Sequence, residues 1–222
     1  MTDETRPTVE HTIATGTHGR YLVSPGTSLG APLLVGFHGY GETAEEEMTR
    51  LRTIPEIDRW AVASIQGLHP FYRRRTNEVV ASWRTRQNRE LAIADNIAYV
   101  SSVLNRLSEE PRAAVVLTGF SQGVAMAFRA AAAMSPTVAG VIACGGDVPP
   151  ELDAHMLARI PIALIGQGAR DEWYTSDKRT ADETRLRAAG VTVHSIVLDA
   201  GHEWTAKFSD ACARFLQSIS SR

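Results

Sequence analysis

Apolar and polar positions along this chain follow two alternating patterns. Compact apolar runs occur at 32–37, 60–65, 113–118, 138–144, 162–165 and 191–198, and read as buried strands. Between them, apolar residues recur at helical spacing near 43–52, 90–107, 121–134, 176–188 and 204–219. The third helix should stop before Pro136, because a residue preceding proline disfavours the helical region. Two N-terminal stretches, 9–14 and 20–24, look like short strands parted by Gly16 and Gly19, and Pro25-Gly26-Thr27-Ser28 supplies the next turn. Apolar strands alternating with helices predict an α/β protein whose mainly parallel sheet is covered on both faces. The strand C-termini then lie along one edge, where such sheets carry their sites.

Composition adds bounds. With 222 residues, 44% apolar and 22% charged, the chain suits one globular domain, 1–222. A net charge of −2 gives no field that would draw it to nucleic acid or an anionic membrane. No apolar run is long enough to span a bilayer. The polar start MTDETRPTVEHT lacks the basic and apolar regions of a secretory signal. Cys144 and Cys212 are read as reduced residues of a cytoplasmic protein. The composition leaves a homodimer open.

The chemistry begins at Gly119-Phe120-Ser121-Gln122-Gly123, which matches G-x-S-x-G. Val115-Val116-Leu117 leads in and Val124-Ala125-Met126-Ala127 leads out, the strand–turn–helix setting of a nucleophile elbow. Such a turn lifts the Ser121 hydroxyl above the sheet edge and aims the Gln122 N–H at a developing oxyanion. The strand 32–37 ends in His38-Gly39-Tyr40-Gly41, whose glycines free the Tyr40 N–H to serve as the second oxyanion donor. His202, between the last strand and the last helix, fits the general base. The acid should fall between serine and histidine in the chain, and Asp171 fits; Glu172 and Asp147 remain alternatives. His38 is read as a structural hydrogen-bonding residue.

With these residues in place the chain resembles the phospholipase/carboxylesterase family, which includes the acyl-protein thioesterases. The resemblance rests on His38-Gly39-Tyr40-Gly41, Gly119 to Gly123, Gly168 to Asp171, and Gly201-His202, with Trp83 matching a tryptophan of the family. It implies an α/β-hydrolase fold without a large cap domain. It also implies a serine hydrolase acting on small esters or thioesters with neither cofactor nor metal. Val124 departs from the glycine that many members carry there, and Arg73-Arg74-Arg75 has no counterpart in the pattern. A serine peptidase on the same fold, or a non-catalytic binding protein on a hydrolase scaffold, are the competing readings.

The substrate side should be walled by the stretch 66–89, which shows no clear period and is read as a long functional loop. Trp83, Trp173 and Phe120 are the expected pocket-lining aromatics. Arg73, Arg74 and Arg75 either face an anionic substrate or form a solvated basic surface.

Overall fold

The computed structural model describes residues 8–28, 30–109, 111–134 and 137–220. Strand β1 (Arg20–Ser24) precedes β2 (Leu33–Phe37), helix α1 (Ala44–Leu51) and β3 (Ala61–Gln66). A hairpin of β4 (His69–Tyr72) and β5 (Val79–Ser82) leads to α2 (Arg89–Leu107). Then come β6 (Val115–Phe120), α3 (Gln122–Ala133), β7 (Gly140–Cys144) and the short α4 (Ala154–Leu157). The chain continues through β8 (Ile162–Gly168), α5 (Ser176–Ala188), β9 (Thr192–Leu198) and α6 (Ala206–Ser220).

Seven strands make one sheet in the order β1-β3-β2-β6-β7-β8-β9. Only β1 runs antiparallel to its neighbour; the other pairs are parallel. From β2 the chain moves outward to β3, and from β6 it moves the opposite way to β7. The crevice beyond the ends of β2 and β6 is therefore a topological switch point, where open α/β sheets bind ligands. The α/β-hydrolase architecture expected from the sequence is present.

Strand periodicity divides the core. Leu33, Val35 and Phe37 pack with Val100, Leu104, Phe128 and Leu186 on one face. Leu34 belongs to the other face with Leu51, Phe208 and Phe215. Every residue of β2, β7 and β8 is buried, as a sheet covered on both sides requires. Among the described residues no helix is long and apolar enough to cross a membrane. Cys144 and Cys212 are free and buried, and lack of solvent pushes both thiols up.

Three expectations change. Residues 9–14 form no strand; residues 8–19 are exposed and irregular, since β1 already occupies the edge beside β3. The stretch 66–89 is not structureless: β4 and β5 form a hairpin through Phe71↔Val80 and Tyr72↔Val79, whose short strands the mixed polar sequence conceals. Trp83 is a core residue, only 1% exposed, rather than a pocket wall. Its Nε1 donates to the His38 carbonyl at 2.8 Å, and its ring meets Phe37 edge-on at 5.5 Å. Helix α3 ends at Ala133 as expected, while Pro136 itself lies outside the described residues.

One buried charge cluster supports the site. Helix α1 opens with a reciprocal capping box: the Glu46 N–H donates to Thr43 Oγ1, and the Thr43 N–H to the Glu46 carboxylate. Its inner face carries Glu47, fully buried, which pairs with Arg50; Arg50 also reaches Glu42 at 2.6 Å. Gly36 makes room, since a Cβ there would lie 2.8 Å from Glu47 Oε1 and 2.7 Å from Leu51 Cδ1. Burial pushes the Glu47 carboxyl up to about 7, more than the Arg50 charge pulls it down. The unfolded chain releases this proton near the ordinary 4.5, so between there and about 7 the folded state holds more protons. This group's contribution to stability is therefore full below pH 4.5 and declines as pH rises toward 7. Denaturant titrations at pH 5 and pH 8 test this: Glu47→Gln should gain on the wild type by on the order of 1–3 kcal/mol at the higher pH. A difference between the two proteins that does not change with pH, or that changes in the opposite sense, contradicts it.

Candidate active site

The elbow is built by close backbone approach. Ser121 joins β6 to α3 at φ 53°, ψ −118°, a conformation that side chains rarely adopt. Its N–H donates to the Cys144 carbonyl at 2.9 Å, which ties the turn to β7. A Cβ on Gly123 would fall 1.8 Å from the Phe37 carbonyl oxygen, and one on Gly119 would fall 2.4 Å from the Gly123 backbone. Both motif glycines are thus required by space.

The structure brings Ser121, His202 and Asp171 together. Ser121 Oγ lies 2.8 Å from His202 Nε2, and His202 Nδ1 lies 2.8 Å from Asp171 Oδ2. The tautomer that satisfies both contacts carries its proton on Nδ1 and accepts the serine hydroxyl at Nε2. Asp171 is 6% exposed, and its second oxygen accepts the N–H groups of Trp173 at 2.8 Å and Tyr174 at 2.9 Å. The loops after β8 and β9 are joined by Ala169 N–H to Leu198 O and Arg170 N–H to Ala200 O. Gly168 permits this, since a Cβ there would lie 2.0 Å from the Gly201 carbonyl oxygen. Of the alternative acids, Glu172 is exposed and Asp147 pairs with Lys178 at 3.3 Å.

The loop after β2 is held in three ways. The Gly39 N–H donates to Glu42 Oε2 at 2.7 Å, the Gly41 N–H donates to the Ala81 carbonyl at 2.9 Å, and Ala81 donates back to Glu42. Between these committed donors, the Tyr40 N–H has no protein acceptor among the described residues. The Gln122 N–H is likewise free, as a first-turn donor at the positive end of α3. His38 is fully buried: Nε2 accepts the Gly67 N–H at 3.0 Å and Nδ1 donates to the Gly39 carbonyl at 2.7 Å. Burial lowers its pKa, so it stays the neutral structural residue that its position suggested.

Ser121 and His202 open into a cleft of about 920 Å³ whose walls include Tyr40, Val148, Pro149, Trp173 and Arg84. Trp173 is 74% exposed at its rim. Phe120 lies on the other side of His202, in a second depression with Arg50 and Trp204. Its ring stacks 5.2 Å from the imidazole and carries the Arg50 guanidinium 4.4 Å above it. Arg73 does not reach the cleft: it pairs with Glu46 and Glu78 and donates to the Gly41 carbonyl at 2.7 Å, bracing the oxyanion loop. Arg74 and Arg75 are exposed at the hairpin turn.

Several supporting residues were not anticipated. The Gln122 side chain accepts from the Trp83 N–H at 2.9 Å and from the Ser82 hydroxyl at 3.2 Å, fastening the hairpin exit to the elbow. Buried Asn96 grips Trp83 O, Ala92 O and the Leu68 N–H. Gly146 gives Ser121 its space, since a Cβ there would lie 2.2 Å from the Ser121 carbonyl oxygen. The adjacent glycines were a visible signal; the partners of Gln122 and Asn96 were not. Among the described residues no cluster of His, Cys, Asp and Glu could hold a metal ion.

Known structures share this fold. The structure of esterase PE8 superposes with a TM-score of 0.72 at 20% identity, covering 91% of this chain and 100% of that one. A Bacillus cereus carboxylesterase gives 0.71 at 16% identity, covering 90% and 94%. Zea mays acyl-protein thioesterase 2 gives 0.69 at 17%, covering 91% and 100%. At such identities the likeness is one of fold. No curated protein is similar enough in sequence to be matched. The sequence model of the phospholipase/carboxylesterase family matches residues 20–220, and the chain belongs to that family.

Proposed function

We propose that the protein is a serine hydrolase that cleaves carboxylic esters or thioesters through an acyl-enzyme on Ser121. The observation that carries this reading is the continuous chain of contacts from Ser121 Oγ through the imidazole of His202 to Asp171, each link at 2.8 Å. His202 takes the hydroxyl proton as Ser121 attacks the acyl carbonyl. The resulting oxyanion is held by the Tyr40 and Gln122 N–H groups, neither of which has an acceptor among the described residues. His202 then returns the proton to the departing alkoxide or thiolate. Water, activated by the same imidazole, releases the acid and restores the serine. Asp171 fixes the tautomer and stabilises the imidazolium, while its two backbone N–H bonds hold it in place. Family membership and the esterase and thioesterase folds it resembles support an acyl-transfer chemistry.

Ser121→Ala should leave a folded protein, by circular dichroism, with kcat for a 4-nitrophenyl ester reduced on the order of 10⁶-fold. Retained turnover in the folded variant would remove the nucleophile from the mechanism. Asp171→Asn should lower kcat by about 10⁴, because the amide no longer selects the right imidazole tautomer. Glu172→Gln and Asp147→Asn are the comparisons. If either costs more than Asp171→Asn, the acid has been assigned to the wrong residue.

A further inference from the structure

The cleft that holds Ser121 and His202 is unusually rich in cations. Arg84, Arg89, Arg129, Lys178 and Arg185 all line it, against Asp147 and Asp182. Four of the five cations have engagements of their own. Arg129 bonds Glu151 at 2.8 Å, and Lys178 bonds Asp147 and the Trp173 carbonyl. Arg185 spends its donors on the carbonyls of Val148, Pro149 and Leu152 and lies 3.6 Å from Asp182, so it pins the loop after β7. Arg89 pairs at 2.5 Å with Glu90, which is largely exposed.

Arg84 differs. Its half-buried side chain forms no salt bridge among the described residues, Glu151 and Glu90 acting on it only at longer range, and its Nε is buried without a hydrogen-bond partner. Burial, followed by the charges of Arg89 and Arg129, drives its pKa down, the direction for a cation short of a counter-ion. Leaving such a group unpaired costs free energy that a bound anion would recover.

The backbone of Arg84 is held firmly. Its carbonyl accepts from Ser82 Oγ at 2.7 Å and from Gln122 Nε2 at 3.3 Å, and Trp83 beside it is locked in the core. Since Gln122 directly follows the nucleophile, the base of the Arg84 side chain is one side chain away from the reacting centre. The apolar wall of Val148, Pro149 and Trp173 belongs to the same cleft.

We propose that Arg84, reinforced by Arg89, recognises a carboxylate or phosphate on the non-reacting part of the substrate, making this a hydrolase of anionic esters or thioesters. This rests on the acyl-transfer reading given above. A guanidinium offers paired donors to a planar carboxylate or a phosphate, and a partly buried cleft strengthens the contact relative to open solvent. The anion can sit on the acyl half or on the alcohol half, and matched substrates separate the two.

Two pairs of esters test the kinetics: 4-nitrophenyl hydrogen glutarate against 4-nitrophenyl butyrate, and 4-butyryloxybenzoate against phenyl butyrate. Calorimetric titration with glutarate, and with 1,5-pentanediol as the neutral match, tests binding without turnover. In the wild type, KM for the anionic member of at least one pair should be about tenfold or more below that of its neutral match. Glutarate should bind by a similar margin over the diol, and added salt should reduce the margin. In Arg84→Gln both preferences should fall toward unity, and Arg84→Lys, which keeps the charge, should recover part of them. Circular dichroism confirms that each variant is folded. If esters turn over but neither preference exists, or Arg84→Gln leaves both intact, the anion site is wrong and the hydrolase stands. If glutarate binding depends on Arg84 yet no ester or thioester turns over, the anion site stands and the hydrolase reading falls.

Discussion

Everything at this site depends on how closely backbone segments approach one another at the ends of the parallel strands. Ser121 sits at φ 53° because α3 must start immediately after β6, and such a conformation costs about 1–3 kcal/mol. The turn is possible only because Gly123 lies against the Phe37 carbonyl and Gly146 against the Ser121 carbonyl, contacts that any Cβ would close. A third contact of this kind, Gly168 against Gly201, joins the strand end bearing Asp171 to the loop bearing His202. Glycine at these positions turns a general sheet edge into one where serine, imidazole and carboxylate fall within hydrogen-bond reach.

A second layer holds the loop that would bind the oxyanion. Glu42 is its centre: the carboxylate accepts from Gly39 and pairs with Arg50, while its backbone bridges to Ala81 of the hairpin. Arg50 continues to buried Glu47 and across the ring of Phe120, which stacks on His202. Charge buried beneath α1 is thus linked through contacts to both the oxyanion loop and the imidazole. Burying charge seldom adds stability by itself. Its use here is to fix the position of a loop whose remaining N–H must point outward.

Much of this was legible in the sequence, for physical reasons. Strands buried on both faces write themselves as apolar runs, so β2, β6, β7 and β8 could be placed. Tight turns demand glycine, so the elbow and the loop after β2 announced themselves. Ser121, Asp171 and His202 follow from chain order and loop position, and the structure brings the three together. What could not be read was direction and non-local pairing. The β4–β5 hairpin has a short, mixed pattern, and nothing local says that Ala81 pairs with Glu42. Trp83 and Arg84 are neighbours in one polar stretch; the first turns into the core and the second into the cleft. Arg73 drew attention as part of a basic triplet, yet it is occupied by Glu46, Glu78 and the Gly41 carbonyl. The informative arginine is the isolated one, because its lack of a partner appears only in three dimensions.

The central claim is that Ser121 is a nucleophile activated by His202. Treatment of the native protein with a fluorophosphonate, followed by intact-mass measurement and peptide mapping, tests it most directly. The account predicts one adduct per chain, carried on the peptide containing Ser121, absent after thermal unfolding and absent from a folded His202→Ala variant. No adduct on the folded wild type, or an adduct on a serine other than Ser121, would contradict it.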